Sequence, residues 1–146
     1  MTLSSIVLKQ MNSKYFIDTN VILYLFSREI KKAERAEELL AQGGIVSVQV
    51  LNEFISVASR KLRLTWEEIE ETHSAITSSC LVEPLTQITT ERAMRIAKRY
   101  QMSFYDALIV AAALLANTSI LYTEDLQHGQ SIERQLTVCN PFRNEV

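Results

Sequence analysis

At 146 residues, 47% hydrophobic and 22% charged, the chain has the size and composition of one globular domain with a real core. Its net charge of −2 excludes the basic excess typical of proteins that coat nucleic acid, but not an enzyme acting on it, because an acidic site subtracts from the total. Two cysteines, Cys80 and Cys139, make no disulfide framework, and the expectation is reduced thiols in a cytoplasmic protein. The N-terminus lacks the pattern of a signal peptide. The longest uncharged apolar run, Ala107 to Ala116, is too short to span a bilayer and reads as a buried helix.

Residues 1–13 show no period and read as an N-terminal extension, with Met11 as an alternative translation start. Residues 14–146 read as a single domain. Tyr15-Phe16-Ile17 is a short strand ending at Asp18, followed by helices over Asn20–Ser27 and Glu29–Gln42. Gly43-Gly44 stops the second helix. Ile45-Val46 is a brief strand, and Ser47 caps a helix reaching about Leu64. Thr65-Trp66-Glu67-Glu68 is a capping box opening a helix to Ser79. Leu81-Val82 is a strand whose exit is Pro84-Leu85. Helices over Thr89–Tyr100 and Ser103–Asn117 follow, then strands at Ser119–Tyr122 and Leu136–Val138. Short strands alternating with helices predict an α/β domain, with a parallel sheet of four to five strands and helices on both faces. The apolar residues Val21, Ile22, Leu23 and Leu25 exceed what one buried helix face needs, which points to an interface there.

Ligands of such sheets bind beyond the carboxyl ends of the strands. Asp18 and Asp125 directly follow strands on that edge. Glu53 and Asp106 lie near the N-termini of helices that begin there. Each also has a local reading: Asp18 as an Asx turn or cap, Asp106 as the partner of Ser103 in a capping box, Glu53 as a solvated glutamate, Asp125 as loop solvation beside Glu124. Asp106 is the only charge in an otherwise apolar helix, so burial is expected, and a buried carboxylate is costly unless paired or bound to metal. No Lys or Arg lies within a few residues of Asp18, Glu53 or Asp106. If these acids converge, a hard divalent cation is the natural counter-charge.

The segments FIDTNVILYLF (16–26), SVQVLNEF (47–54), YDALIVAAA (105–113) and LYTEDLQHG (121–129) resemble PIN-domain ribonucleases, in particular VapC-type toxins of toxin–antitoxin pairs. The resemblance implies a PIN-like fold and an acidic catalytic set of Asp18, Glu53, Asp106 and Asp125. Asn20, Ser103 and Thr123 match supporting polar positions, with Glu124 beside the fourth acid. It implies Mg²⁺ or Mn²⁺ held by Asp18 and Asp106 with Glu53 and Asp125, hydrolysis of RNA phosphodiester bonds, a small antitoxin partner and a homodimer.

No His, Cys or Ser nucleophile is needed for this chemistry, and His73 and His128 read as structural or solvent-facing. The basic run Arg92, Arg95, Lys98 and Arg99 is the first choice for RNA backbone contact; Arg60, Lys61 and Arg63 form a second run. Two other readings are a non-catalytic PIN-fold binding module and a receiver-type metal-binding signalling domain. The latter wants an acidic neighbour for Asp18 and a lysine after a late strand, and this chain has neither.

Overall fold

A computed structural model describes residues 15–143. The sheet order is β3-β2-β1-β4-β6-β5, built from β1 (Tyr15–Ile17), β2 (Ile45–Ser47), β3 (Leu81–Glu83), β4 (Ile120–Tyr122), β5 (Ser131–Ile132) and β6 (Leu136–Cys139). All pairings are parallel except β5 with β6. Six α-helices connect or flank these strands: α1 (Thr19–Leu23), α2 (Ile30–Ala41), α3 (Val48–Arg60), α4 (Trp66–Ser79), α5 (Gln87–Tyr100) and α6 (Phe104–Leu115). The chain moves outward from β1 to β3 and then returns to β4, so right-handed crossovers in the two directions cover both faces.

The sheet has six strands rather than the expected four to five. The additional one, Ser131–Ile132, is a two-residue edge strand folded back on β6. It is too short to show a period, and its turn relies on Glu133 and Arg134 at φ 55° and 56° rather than on glycine. The helix expected over Asn20–Ser27 is α1 followed by a 3₁₀ turn, Tyr24–Phe26. The three expected caps form: Ser47, Thr65 and Ser103 accept from the backbone N–H groups of Val50, Glu68 and Asp106. At Thr65 the capping box is complete and contributes about 1 kcal/mol.

The core joins the strands to the inner faces of the helices. Phe16, Ile17, Val46 and Leu121 from the sheet meet Val50, Phe54 and Ala58 of α3 and nearly all of α6 from Ala107 to Leu114. Val21 and Ile22 are fully buried in this core, and Leu23 and Leu25 pack against it. The fold thus accounts for Val21 and Ile22 in full and for part of Leu23 and Leu25. Neither Cys80, which is buried, nor Cys139 is in a disulfide. No helix among the described residues is long and apolar enough to cross a membrane. The N-terminal segment 1–13, with Met11, lies outside the described residues.

Candidate active site

The strand order reverses around β1 and β4, which lie side by side at the centre of the sheet. The crevice beyond their carboxyl ends is the usual binding position in such folds. Asp18 leaves β1 there and Thr123-Glu124-Asp125 leave β4 there, because Ile17 is in register with Tyr122. The backbone N–H of Asp18 donates to the Tyr122 carbonyl, which continues the ladder and holds the two chain exits together.

Asp18 is only 5% exposed. It is the N-cap of α1: its Oδ1 accepts from the Thr19 N–H at 2.6 Å. Its Oδ2 accepts from the Thr123 hydroxyl at 2.9 Å and from Asn20 Nδ2 at 3.3 Å. The local reading of Asp18 as a cap is thus correct, and the residue is also the buried centre of a polar network. Thr123, itself fully buried, accepts from Asn20 Nδ2 and from the Asp125 N–H. Asn20 Nδ2 reaches Asp125 Oδ2 at 3.0 Å, and Asn20 Oδ1 accepts from the Glu124 N–H.

Glu53 joins from α3. The Thr19 hydroxyl donates to its Oε2 and Gln49 Nε2 to its Oε1, both at 2.9 Å. Thr19 and Gln49 were not singled out from sequence. The Gln49–Glu53 spacing of one helical turn was a usable signal, whereas the Thr19 contact spans 34 residues and needed the fold. Glu124 and Asp125 divide their work: Glu124 accepts from the Tyr24 hydroxyl at 2.8 Å, while the exposed Asp125 faces Asn20.

Asp106 lies in the first turn of α6. That helix returns to β4 from its far end, so its N-terminus projects past the same sheet edge. The expectation that Asp106 is buried does not hold. It is half-buried, because the first turn extends beyond the strands and leaves Phe104 39% and Tyr105 64% exposed beside it. Full burial begins at Ala107. The Asp106 N–H donates to Ser103 Oγ, but the Asp106 carboxylate takes no part in the Asp18 hydrogen-bond network. Among the described residues no three His, Cys, Asp or Glu side chains close into one metal-ligating group.

The electrostatics of the centre are those of an uncompensated anion. Burial pushes the Asp18 carboxyl up to about 7; the hydrogen bonds from Thr123 and Thr19 oppose this, and the charges of Asp125 and Glu53 add to it. The ion pairs among the described residues, Lys32–Glu29, Arg35–Glu38 and Arg99–Glu133, include none of Asp18, Glu53, Asp106 or Asp125. A buried carboxylate with acidic neighbours and no cation fits a hard divalent ion. Mg²⁺ needs only one or two direct carboxylates because it keeps several waters, so a closed three-ligand cage is not required.

The expected basic run on α5 is divided by the fold. Arg99 is held at 2.9 Å by Glu133, in the turn at the amino end of β6, the sheet edge opposite Asp18. Arg95 and Lys98 are exposed and Arg92 is half-buried. His128 Nδ1 accepts from the Asn140 N–H, a structural role in the loop it occupies.

Fold and site together define a doubly wound α/β domain with a hydrogen-bonded acidic cluster, Asp18, Glu53 and Asp125, at its topological switch point. The PIN domain profile matches residues 15–130, and the chain belongs to the PIN-domain family. No curated protein matches it in sequence. Its fold is similar to a toxin–antitoxin complex from Klebsiella pneumoniae, with a TM-score of 0.67 and 22% identity over 89% of this chain and 99% of that one. It is also similar to Mycobacterium tuberculosis VapC20, a toxin that cleaves the sarcin-ricin loop, with a TM-score of 0.62 and 22% identity over 76% and 89%. A third similar structure is VapBC2 of Rickettsia felis bound to promoter DNA, with a TM-score of 0.60 and 19% identity over 85% and 96%.

Proposed function

We propose that the protein is a metal-dependent endoribonuclease and the toxin of a toxin–antitoxin pair. The observation that carries this reading is Asp18: a buried carboxylate at the switch point, with Glu53 and Asp125 close enough to raise its pKa and no cation paired to it among the described residues. The similarity in fold to VapC20 and to two toxin–antitoxin complexes supports the biological role. RNA is the proposed substrate, a small antitoxin the proposed partner, and a homodimer the proposed assembly.

Asp18 and Asp106, with Glu53 and Asp125, are the residues that would hold Mg²⁺ or Mn²⁺. When bound, such an ion supplies a Lewis acid for a phosphate oxygen and water of lowered pKa. The chain's own residues prepare the site. Thr123 and Thr19 keep hydrogen bonds on Asp18, which favours its ionised form against burial. Asn20 ties Asp18 to Asp125, and Thr19 and Gln49 fix both oxygens of Glu53. Ser103 caps the helix that carries Asp106 and so sets its position. Tyr24 draws Glu124 aside, leaving Asp125 as the fourth acid. Arg92, Arg95 and Lys98 are available for phosphate contact, while Arg99 is already paired with Glu133.

The direct test is cleavage of a mixed RNA pool. Wild type with Mn²⁺ or Mg²⁺ is expected to cut it, and both EDTA and Asp106→Asn to stop it. Activity that survives both would eliminate the assignment. Expression of the wild type alone is expected to arrest growth and Asp106→Asn to relieve the arrest. Harmless expression of an active, folded wild-type enzyme would remove the toxin role while leaving the nuclease in place.

A further inference from the structure

We infer that the single-stranded RNA substrate runs out of the acidic centre into a cationic pocket between the start of α2 and the segment after β6; this rests on the nuclease reading above. The pocket has a volume of about 530 Å³ and is lined by Arg28, Lys31, Lys32, Arg35, Arg143 and Phe142, with Glu29 as its single acid. Five of the chain's 15 Lys and Arg residues are gathered there although the net charge is −2. Such a concentration is the electrostatic footprint of a polyanion site.

Contacts connect the pocket to the acidic centre. The Tyr24 hydroxyl holds Glu124, whose N–H donates to Asn20, whose amide in turn reaches Asp18. On its other side the Tyr24 ring packs against Phe142 with centroids 4.3 Å apart, and Lys32 Nζ lies 4.9 Å from the Tyr24 centroid. Arg35 donates to the Pro141 carbonyl and lies over the Tyr122 ring at the end of β4. The pocket therefore opens on the same edge of the sheet as Asp18. A half-buried aromatic wall beside a cluster of cations is the combination that single-stranded RNA uses: the phosphates meet the charges and a base stacks on the ring.

A second observation is that the cations oppose local helix stability. Lys31 and Lys32 occupy the first turn of α2, which carries no acid, although the positive end of the helix dipole favours acids there. The N-cap Glu29 makes no side-chain capping bond. Lys32 is offset by Glu29 and Arg35 by Glu38, whereas Arg28, Lys31 and Arg143 carry no ion pair among the described residues. Residues placed against their local preference in this way signal a functional demand, here an incoming anion.

The test is fluorescence anisotropy of a labelled single-stranded oligoribonucleotide across a salt series with EDTA present. Binding read this way needs no turnover, so the pocket can fail while the nuclease assignment stands, and the reverse. The double variant Arg28→Glu, Lys31→Glu is expected to bind roughly tenfold or more weakly, with a log–log salt slope lower by about 1.4. Its melting temperature should equal or exceed wild type, because Lys31→Glu suits the helix dipole. Arg134→Glu, a single charge reversal with half that change in net charge at the opposite sheet edge, should bind as wild type does. Unchanged affinity and slope in the double variant overturn the inference. Weakening by Arg134→Glu of half the double variant's change in log affinity or more also overturns it, since that result would show a response to net charge alone.

Discussion

Asp18→Asn is expected to abolish RNA cleavage and, in metal-free protein at about pH 8, to melt at a higher temperature than wild type. The stability part follows from linkage. The Asp18 carboxyl stands near 3.8 when unfolded and at about 7 when folded, so between these values the folded state holds the extra proton. Wild-type stability should therefore fall as pH rises from about 4 to 7, and the full penalty persists above that window. A shift of this size corresponds to roughly 4 kcal/mol. Asparagine carries no such penalty. It does lose the carboxylate's second acceptor oxygen, which costs about 1–2 kcal/mol where Thr123 and Asn20 now donate.

The expected net gain is about 2 kcal/mol near pH 8, or roughly 5 °C in melting temperature. Near pH 3 the order should reverse, since the carboxyl is then neutral in both states and only the hydrogen-bond loss remains. Calorimetry of both proteins across pH, with EDTA, reads the difference. A difference that does not change with pH would mean that Asp18 is not a strained anion. Mg²⁺ should raise the melting temperature of wild type and leave the variant unmoved, because an ion that binds only the folded state stabilises it. Cleavage should fall by at least about 100-fold, more than the loss typical of a residue one shell further from a metal.

Thr123→Val should be the most damaging isosteric change in the site. The hydroxyl is fully buried, donates to Asp18 Oδ2 and accepts from Asn20 Nδ2 and the Asp125 N–H. Valine keeps the shape and removes all three bonds. Buried groups then lack partners, at an expected cost of about 2–4 kcal/mol, or roughly 10 °C. The Thr123 hydrogen bond also lowers the Asp18 pKa, so its loss should move that pKa further up. The acid limb of the pH–rate profile should move up with it. Thr123→Ser keeps the hydroxyl and should retain most of both stability and rate. Thermal melts and pH–rate profiles of the two variants decide the matter: if Val and Ser behave alike, the hydroxyl is not what organises the site.

What the sequence determined by itself was local. The caps at Ser47, Thr65 and Ser103 depend on residues three positions away, and all three form. The strand ending at Asp18 and the uniformly apolar α6 follow from short-range pattern, and together they point to a parallel α/β sheet with acids on one edge. What depended on chain segments about 100 residues apart was decided only by the tertiary structure. Asn20 contacts Asp125 across 105 positions, and Tyr24 contacts Glu124 across 100. These contacts divide the adjacent pair Glu124-Asp125 into a held residue and an available one. The half-exposure of Asp106, the capture of Arg99 by Glu133 and the gathering of Arg28 and Lys31 with Arg143 have the same origin. Hydrophobic periodicity specifies which face of each element is covered, but the register of β1 against β4 and β6 sets which polar side chains meet at the sheet edge.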